Sequence, residues 1–251
     1  MQFFGTSDKG KKRSINQDGF LCRALWDDSA ILAVVCDGMG GHKAGEIASR
    51  MALDIFTEEV LKCENPVELP KNIHKDIIRY ALVNAAMITN GKIYQTALDS
   101  HDFDGMGTTL VAALVYDNML YVINIGDSRL YMVTAGEAFQ VTHDHSFVQY
   151  LIDSGKLSEE EARYYPRKNV ITRAIGIEDT IEVDFFTVSL KNLHNGYILL
   201  CSDGLSNYVT NGKMAEILSG DTSLKEKGEE FIAFANEQGG SDNITVVLIE
   251  V

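Results

Sequence analysis

Four times in this chain an apolar run meets an aspartate beside a glycine or serine. ILAVVCDG ends at Asp37-Gly38, YVINIGDS carries Asp127, YILLCSDG carries Asp203-Gly204, and GGSDNITVV sets Asp242 just before an apolar run. Short runs rich in Val, Ile and Leu, bounded by turn residues, read as strands. A carboxylate beside such a run is costly to bury unless it is paired or bound to a cation. The repeated pattern therefore asks for a fold that gathers several strand ends and neutralises them together. Glycine next to the carboxylate lets backbone approach closely or aims a carbonyl into the site. Hard cations such as Mg²⁺ and Mn²⁺ take oxygen ligands of this kind. One strand-end aspartate alone is more often a turn former. Four of them, with few basic residues near them in the chain, read better as a metal-binding rim.

The intervening sequence predicts strands over 19–26 and 31–36, then a helix over 43–61 with Ala44, Ile47, Ala48, Met51, Ile55 and Phe56 on one face. Prolines break the chain at 66–70. A second helix over 71–98 repeats the spacing with Ile77, Ala81, Ala85 and Ile88. A meander follows over 108–115, 119–125 and 130–133, and its short turns favour antiparallel neighbours. Residues 143–169 are polar and carry a small, highly charged helical insert. Strands over 181–189, 197–201 and 244–251 and helices over 214–218 and 224–237 complete the pattern, and QFFGTS opens the chain as another strand. Strand-rich stretches separated by helix pairs argue for an α+β layered protein with sheets in the middle. No linker, repeat or low-complexity segment appears, so the expectation is a single domain over 1–251.

Composition narrows the function. The chain has 251 residues, with 22 Lys and Arg against 36 Asp and Glu, a net charge of −14. That disfavours nucleic-acid binding, which needs a basic face. No stretch approaches the ~18 apolar residues of a membrane helix, and the first residues lack the apolar core of a signal peptide. The expected location is the cytoplasm. The four cysteines form no CxxC pair, and the three in apolar runs read as buried thiols in a reducing compartment. None stands in a CxxxxxR phosphate cradle. No HExxH or Cys/His cluster suggests zinc chemistry. DGMGGHKAG lacks the GxxxxGK[ST] of a phosphate loop, and GMGTT (105–109) lacks the context of one. Both read as close backbone approaches to a metal centre. Arg13, in GKKRSINQDG, is a natural clamp for a pair of phosphate oxygens. Asp18 lies five residues on and is placed to join the cluster through water.

Taken together, RSINQD (13–18), DGMGGH (37–42), GMGTT (105–109), GDSR (126–129), THDHS (142–146), ITRAIG (171–176), CSDGLSN (201–207) and GGSDNITVV (239–247) closely resemble the metal-dependent protein serine/threonine phosphatases of the PP2C or PPM type, in their compact bacterial form. The motifs keep their order and span the chain. The resemblance implies a four-layer α-β-β-α sandwich, two mostly antiparallel central sheets with helices outside, and a small flap insert near 147–168. It implies that Asp37 bridges two metals, that the Gly38 carbonyl holds the second, and that Asp203 and Asp242 hold the first. Asp18 would sit at the edge through water, Asp127 would belong to a weaker third site, and Arg13 would bind the substrate phosphate. The implied cofactors are Mn²⁺ or Mg²⁺, two core ions plus the weaker third. Two departures stand out. Some members carry a histidine acid where this chain has Met39, a role not transferred to the nearby His42. Some carry aspartate where this chain has Asn207, which weakens the third site.

The expected reaction is hydrolysis of phosphoserine or phosphothreonine in proteins by a metal-activated water, with Arg13 and the metals offsetting charge and no phosphoenzyme formed. Partners would be phosphorylated proteins, substrates of a bacterial Ser/Thr kinase and the kinase itself among them, and the chain would act as a monomer. Two rivals are a dimetal hydrolase of small phosphoesters and a catalytically silent phosphoprotein-binding module. Retention of Asp37, Asp203 and Asp242 argues against the second.

Overall fold

Alternation along the strands sets the architecture. In the third strand Ala30, Leu32, Val34 and Cys36 belong to one apolar cluster, while Ile31, Ala33 and Val35 belong to another. The last strand does the same: Ile244, Val246 and Leu248 face one cluster, Val247 and Ile249 the other. Successive strand side chains point to opposite faces. Strands apolar on both faces must therefore be covered on both faces.

The computed structural model describes residues 1–251 apart from 42, 64, 67, 68, 135, 163, 192 and 194, and apart from the side chain of 72; His42 thus lies outside the described residues. Strands are β1 (Gln2–Asp8), β2 (Asp18–Leu25), β3 (Ala30–Met39), β4 (Gly107–Thr108), β5 (Leu110–Tyr116), β6 (Met119–Ile125), β7 (Arg129–Thr134), β8 (Glu137–Gln140), β9 (Asp184–Ser189), β10 (Tyr197–Cys201) and β11 (Ile244–Glu250). Helices are α1 (Ala44–Leu61), α2 (His74–Leu98), α3 (Phe147–Asp153), α4 (Glu159–Ala162), α5 (Asp203–Ser206), α6 (Asn211–Ser219) and α7 (Leu224–Glu237). One sheet runs β1-β11-β10-β7-β8 and the other β2-β3-β5-β6-β9, with β4 pairing β3. The pairings are antiparallel.

Three apolar slabs separate four layers. The first lies between α1–α2 and the β3 sheet, with Phe56, Ile78, Leu82 and Ile93 against Leu32 and Leu114. The second fills the space between the sheets, where Val35, Val111 and Val122 meet Leu130, Leu200 and Val247. The third lies under α6 and α7, with Met214, Ile217 and Phe231 against Leu199, Val246 and Leu248. This is the expected α-β-β-α sandwich.

Several details differ from the sequence reading. The buried stripe of α2 is Ile78, Leu82, Ala85, Ala86, Thr89 and Ile93; the expected Ile77, Ala81 and Ile88 flank it half-buried. Apolar residues on adjacent positions make two stripes equally readable. The helix also opens with a 3-10 turn over Lys71–Ile73. The edge strand β8 carries little signal in the sequence, because Ala138 is the one buried side chain in EAFQ. Asp203 opens a short helix and does not close a strand. The insert expected near 147–168 holds α3 and α4. Its entrance is fastened by the Phe147 N–H to the Val170 carbonyl (2.7 Å) and an isolated bridge between Ser146 and Ile171.

Candidate metal centre

β2 and β3 pair with Asp18 opposite Asp37, so both carboxylates reach the same end of one sheet. Asp203 leaves β10 and Asp242 enters β11 at the matching end of the other sheet. Asp127 follows β6. A cavity of about 230 Å³ opens there, with Arg13, Asp37, Gly38, Asp127, Asp203 and Asp242 in its wall. Asp18 is the one site residue predicted from the sequence that does not line it. Met39, Asn169 and Ile171 also line the cavity, the latter two reaching in from just beyond the flap.

Asp18 lies behind the cavity wall and joins the sheets. Its Oδ2 accepts from Ser202 Oγ and Thr245 Oγ1, both at 2.7 Å. Thr245 N–H in turn donates to Ser202 Oγ (3.0 Å). Asp37 is held through its backbone. Its N–H donates to Thr109 Oγ1 (2.9 Å), and its carbonyl accepts from Thr109 N–H and Thr108 Oγ1, each at 2.9 Å. Thr109 Oγ1 also shares a 2.7 Å hydrogen bond with Ser128 Oγ. The GMGTT threonines thus tie two aspartate-bearing turns together. Glycine is required at 38, where an added Cβ would overlap the Gly45 carbonyl, and at 204, where it would overlap the Asn243 carbonyl.

The arrangement is electrostatically strained. Burial, opposed by the hydroxyls of Thr245 and Ser202, raises the Asp18 carboxyl to about 7. Burial and then the neighbouring Asp203 raise Asp127 to about 8. Burial and then Asp242 raise Asp203 to about 6. Asp37 rises well above the carboxylate range through burial, with repulsion from Asp18, Asp203, Asp127 and Asp242 adding to it. Among the described residues, two carboxylate oxygens, Asp18 Oδ1 and Asp203 Oδ1, are buried with no hydrogen-bond partner. Among the described residues, no three His, Cys, Asp or Glu side chains close into a ready-made cage for one ion. The carboxylates line one cavity without converging on one point. That spread fits hard divalent cations of the Mg²⁺ type, which take one or two carboxylates and fill the shell with water and carbonyls. Oxygen-only donors, buried repulsion and orphaned oxygens all ask for positive charge.

The expectation of few basic partners needs correction. Arg13 Nη2 donates to Asp242 Oδ2 at 2.7 Å, so this clamp rests on a carboxylate. Arg129 sits beside Asp127 but is claimed by Asp144: Nε reaches both carboxylate oxygens (3.0 and 2.9 Å) and Nη2 reaches Oδ2 (2.6 Å). Asn207 also behaves differently from a ligand. Its Nδ2 donates to Asp203 Oδ2 (3.2 Å), while its Oδ1 accepts from flap residue Lys168 (3.2 Å).

Sequence reasoning missed the supports. Asn243 Oδ1 accepts from Gln17 N–H (2.8 Å), and its Nδ2 donates to the carbonyls of Lys9 (3.0 Å) and Ile15 (2.9 Å). It pins the loop carrying Arg13 to the turn carrying Asp242. His145 Nδ1 accepts from Gly126 N–H (3.0 Å), beside Asp127, and its Nε2 faces Asp184 Oδ2 at 3.2 Å. Arg173 Nη1 donates to Asp184 Oδ1 at 2.8 Å. The THDHS and ITRAIG motifs contain Asp144, His145 and Arg173, but their partners lie far away in the chain. Cys36 and Cys201 are fully buried, and burial pushes the Cys201 thiol to about 12 and the Cys36 thiol beyond it. Among the described residues no cysteine is in the cavity wall.

A family model described as protein phosphatase 2C matches residues 5–248. The chain is 39% identical over 247 residues to a serine/threonine phosphatase stp of Listeria welshimeri, covering 97% of this chain and 93% of that one. It is 38% identical to a protein phosphatase PhpP of Streptococcus pneumoniae, covering 98% and 95%. The crystal structure of the serine/threonine phosphatase Stp1 from Staphylococcus aureus superposes with a TM-score of 0.89 at 31% identity, covering 100% of this chain and 94% of that one.

Proposed function

Because the chain belongs to the protein phosphatase 2C family, whose members are metal-dependent hydrolases, we propose that the acidic cavity is its catalytic centre. The chain is a protein serine/threonine phosphatase, and its substrates are phosphoproteins. The observation that carries the site assignment is the gathering of Asp37, Asp127, Asp203 and Asp242 around one cavity with Arg13 in its wall.

Asp37, the Gly38 carbonyl, Asp203 and Asp242 would hold two divalent cations, Mn²⁺ or Mg²⁺, with Asp127 toward a weaker third and Asp18 steadying the cluster through water. When bound, such cations supply Lewis acidity and an activated water at neutral pH. Arg13, which here donates to Asp242, would bind two oxygens of the phosphoryl group. A bidentate guanidinium fixes the group's orientation and offsets its charge. Thr108 and Thr109 keep Asp37 aimed through its backbone. Among the described residues no cysteine lines the cavity, and Cys36 and Cys201 are fully buried, so no thiol is placed to attack the phosphoryl group. Met39, in the cavity wall, carries no proton to give to the leaving serine or threonine oxygen. The unit responsible is one catalytic domain spanning 1–251.

The test is hydrolysis of a phosphothreonine peptide before and after exhaustive chelation. Activity should vanish and return with Mn²⁺ or Mg²⁺, and Asp37→Asn should stay inactive in both. Full activity in the chelated protein would overturn the assignment.

A further inference from the structure

A second cavity lies at the opposite pole. Its volume is about 380 Å³, and its wall includes Thr134, Asn195, Tyr197, Asp221, Thr222 and Lys227. Tyr197 begins β10, the strand that leads to Asp203 at its other end. The strand's five residues place the two cavities roughly 17 Å apart or more.

The unusual component is Lys227. It is 5% exposed, which is rare for a lysine. Its ammonium donates to Tyr197 Oη at 3.0 Å and lies 5.0 Å from the centre of that ring. Among the described residues no carboxylate stands within ion-pair distance of it. An ammonium has three donors, and a neutral phenol takes one. Glu250 accepts from Tyr197 Oη at 3.4 Å, and Asp221 stands in the cavity wall. The start of α7 is not the attraction, because the capping box of Ser223 and Glu226 satisfies and partly neutralises it. What remains is a buried cation with spare donors beside a cavity rimmed by the hydroxyls of Thr134 and Thr222 and the amide of Asn195. A buried charge without a counter-charge is unfavourable, and the volume falls within the ~300–1,000 Å³ of small-molecule pockets.

We propose that this cavity binds a small organic oxyanion, a phosphate monoester or a carboxylate, with Lys227 as its counter-charge. The site is separate from catalysis and does not depend on the reading of the acidic cavity.

The experiment is a titration of the Mg²⁺-loaded protein with sulfate and, separately, malonate, followed by amide ¹H–¹⁵N shifts against chloride at matched ionic strength. Saturable shifts are expected at Asn195, Tyr197, Asp221 and Thr222. The tighter probe tells whether the tetrahedral or the carboxylate anion is preferred. Lys227→Met should weaken binding at these amides roughly tenfold or more, while Arg13→Ala should leave it unchanged. Should Lys227→Met fail to fold, Tyr197→Phe decides, because it frees the ammonium's third donor and should keep or tighten binding. Shifts confined to the catalytic end, shifts matched by chloride, or equal binding in Lys227→Met would overturn the proposal.

Discussion

Replacing Asp203 by asparagine should destroy activity and stabilise the metal-free protein. The Asp203 carboxyl is raised from 3.8 to about 6 by burial and by Asp242. The unfolded chain thus releases this proton near pH 4 and the folded chain near pH 6. Between those values the native state holds more protons, so its stability falls as pH rises through the window. Two units correspond to about 3 kcal/mol at ~1.4 kcal/mol per unit, an upper bound for a group that shares its repulsion with neighbours. Asparagine keeps the shape and still offers an oxygen to Asn207, but it carries no charge. At pH 8, after chelation, Asp203→Asn should be more stable by about 1–3 kcal/mol, a rise of several degrees in Tm. Near pH 4 the difference should shrink toward zero. Excess Mn²⁺ should reverse the order, because a cation at 100 times its Kd adds about 2.7 kcal/mol to the wild type and less to the variant. Thermal unfolding at pH 4, 6 and 8, with and without metal, measures all three effects. A variant less stable than wild type at pH 8 without metal, or a pH-independent difference, would refute the claim that these carboxylates repel one another.

Other perturbations separate scaffold from chemistry. Arg129→Met leaves Asp144, 6% exposed at its side chain, without its guanidinium; the expected loss is about 3–5 kcal/mol, read from the urea midpoint. Asn243→Ala frees the loop bearing Arg13 and should raise KM for a phosphopeptide more than it lowers kcat, with a stability loss of about 1–3 kcal/mol. Gly38→Ala forces a methyl into the Gly45 carbonyl and should abolish folding or activity, whereas Gly41→Ala, with nothing within 4 Å of the added carbon, should stay within about 0.5 kcal/mol of wild type.

The readable and unreadable parts of this protein divide by the range of the interaction. Each aspartate of the cavity wall announces itself locally, as a charged residue at the edge of an apolar run with a small residue beside it. That is why Asp37, Asp127, Asp203 and Asp242 are legible in the sequence. The layer order is legible for a similar reason, since strands apolar on both faces demand cover on both. The stripe of α2 is ambiguous because alanine and isoleucine fill adjacent positions, so periodicity alone does not choose between faces. β8 is an edge strand with one buried residue, and its pairing with β7 does the specifying.

The supporting residues escape a sequence reading because their meaning lies in partners far along the chain. Asn243 is one more polar residue until the loop over 9–17 folds onto it. Asp144 and His145 look like parts of one motif, yet they serve different neighbours: one neutralises Arg129, the other receives the Gly126 N–H. Both brace the turn that bears Asp127. The acidic cavity is therefore rigid where it touches backbone and strained where it presents charge. Hydroxyls and amides hold the carboxylates of Asp18 and Asp242 and the backbone of Asp37, which limits how far the aspartates can relieve their repulsion by moving apart. A chain that could relax would hold a cation weakly, because binding would have to reassemble the ligands. Here the reassembly is done during folding, and the energy stored in the crowded carboxylates is available to bind positive charge.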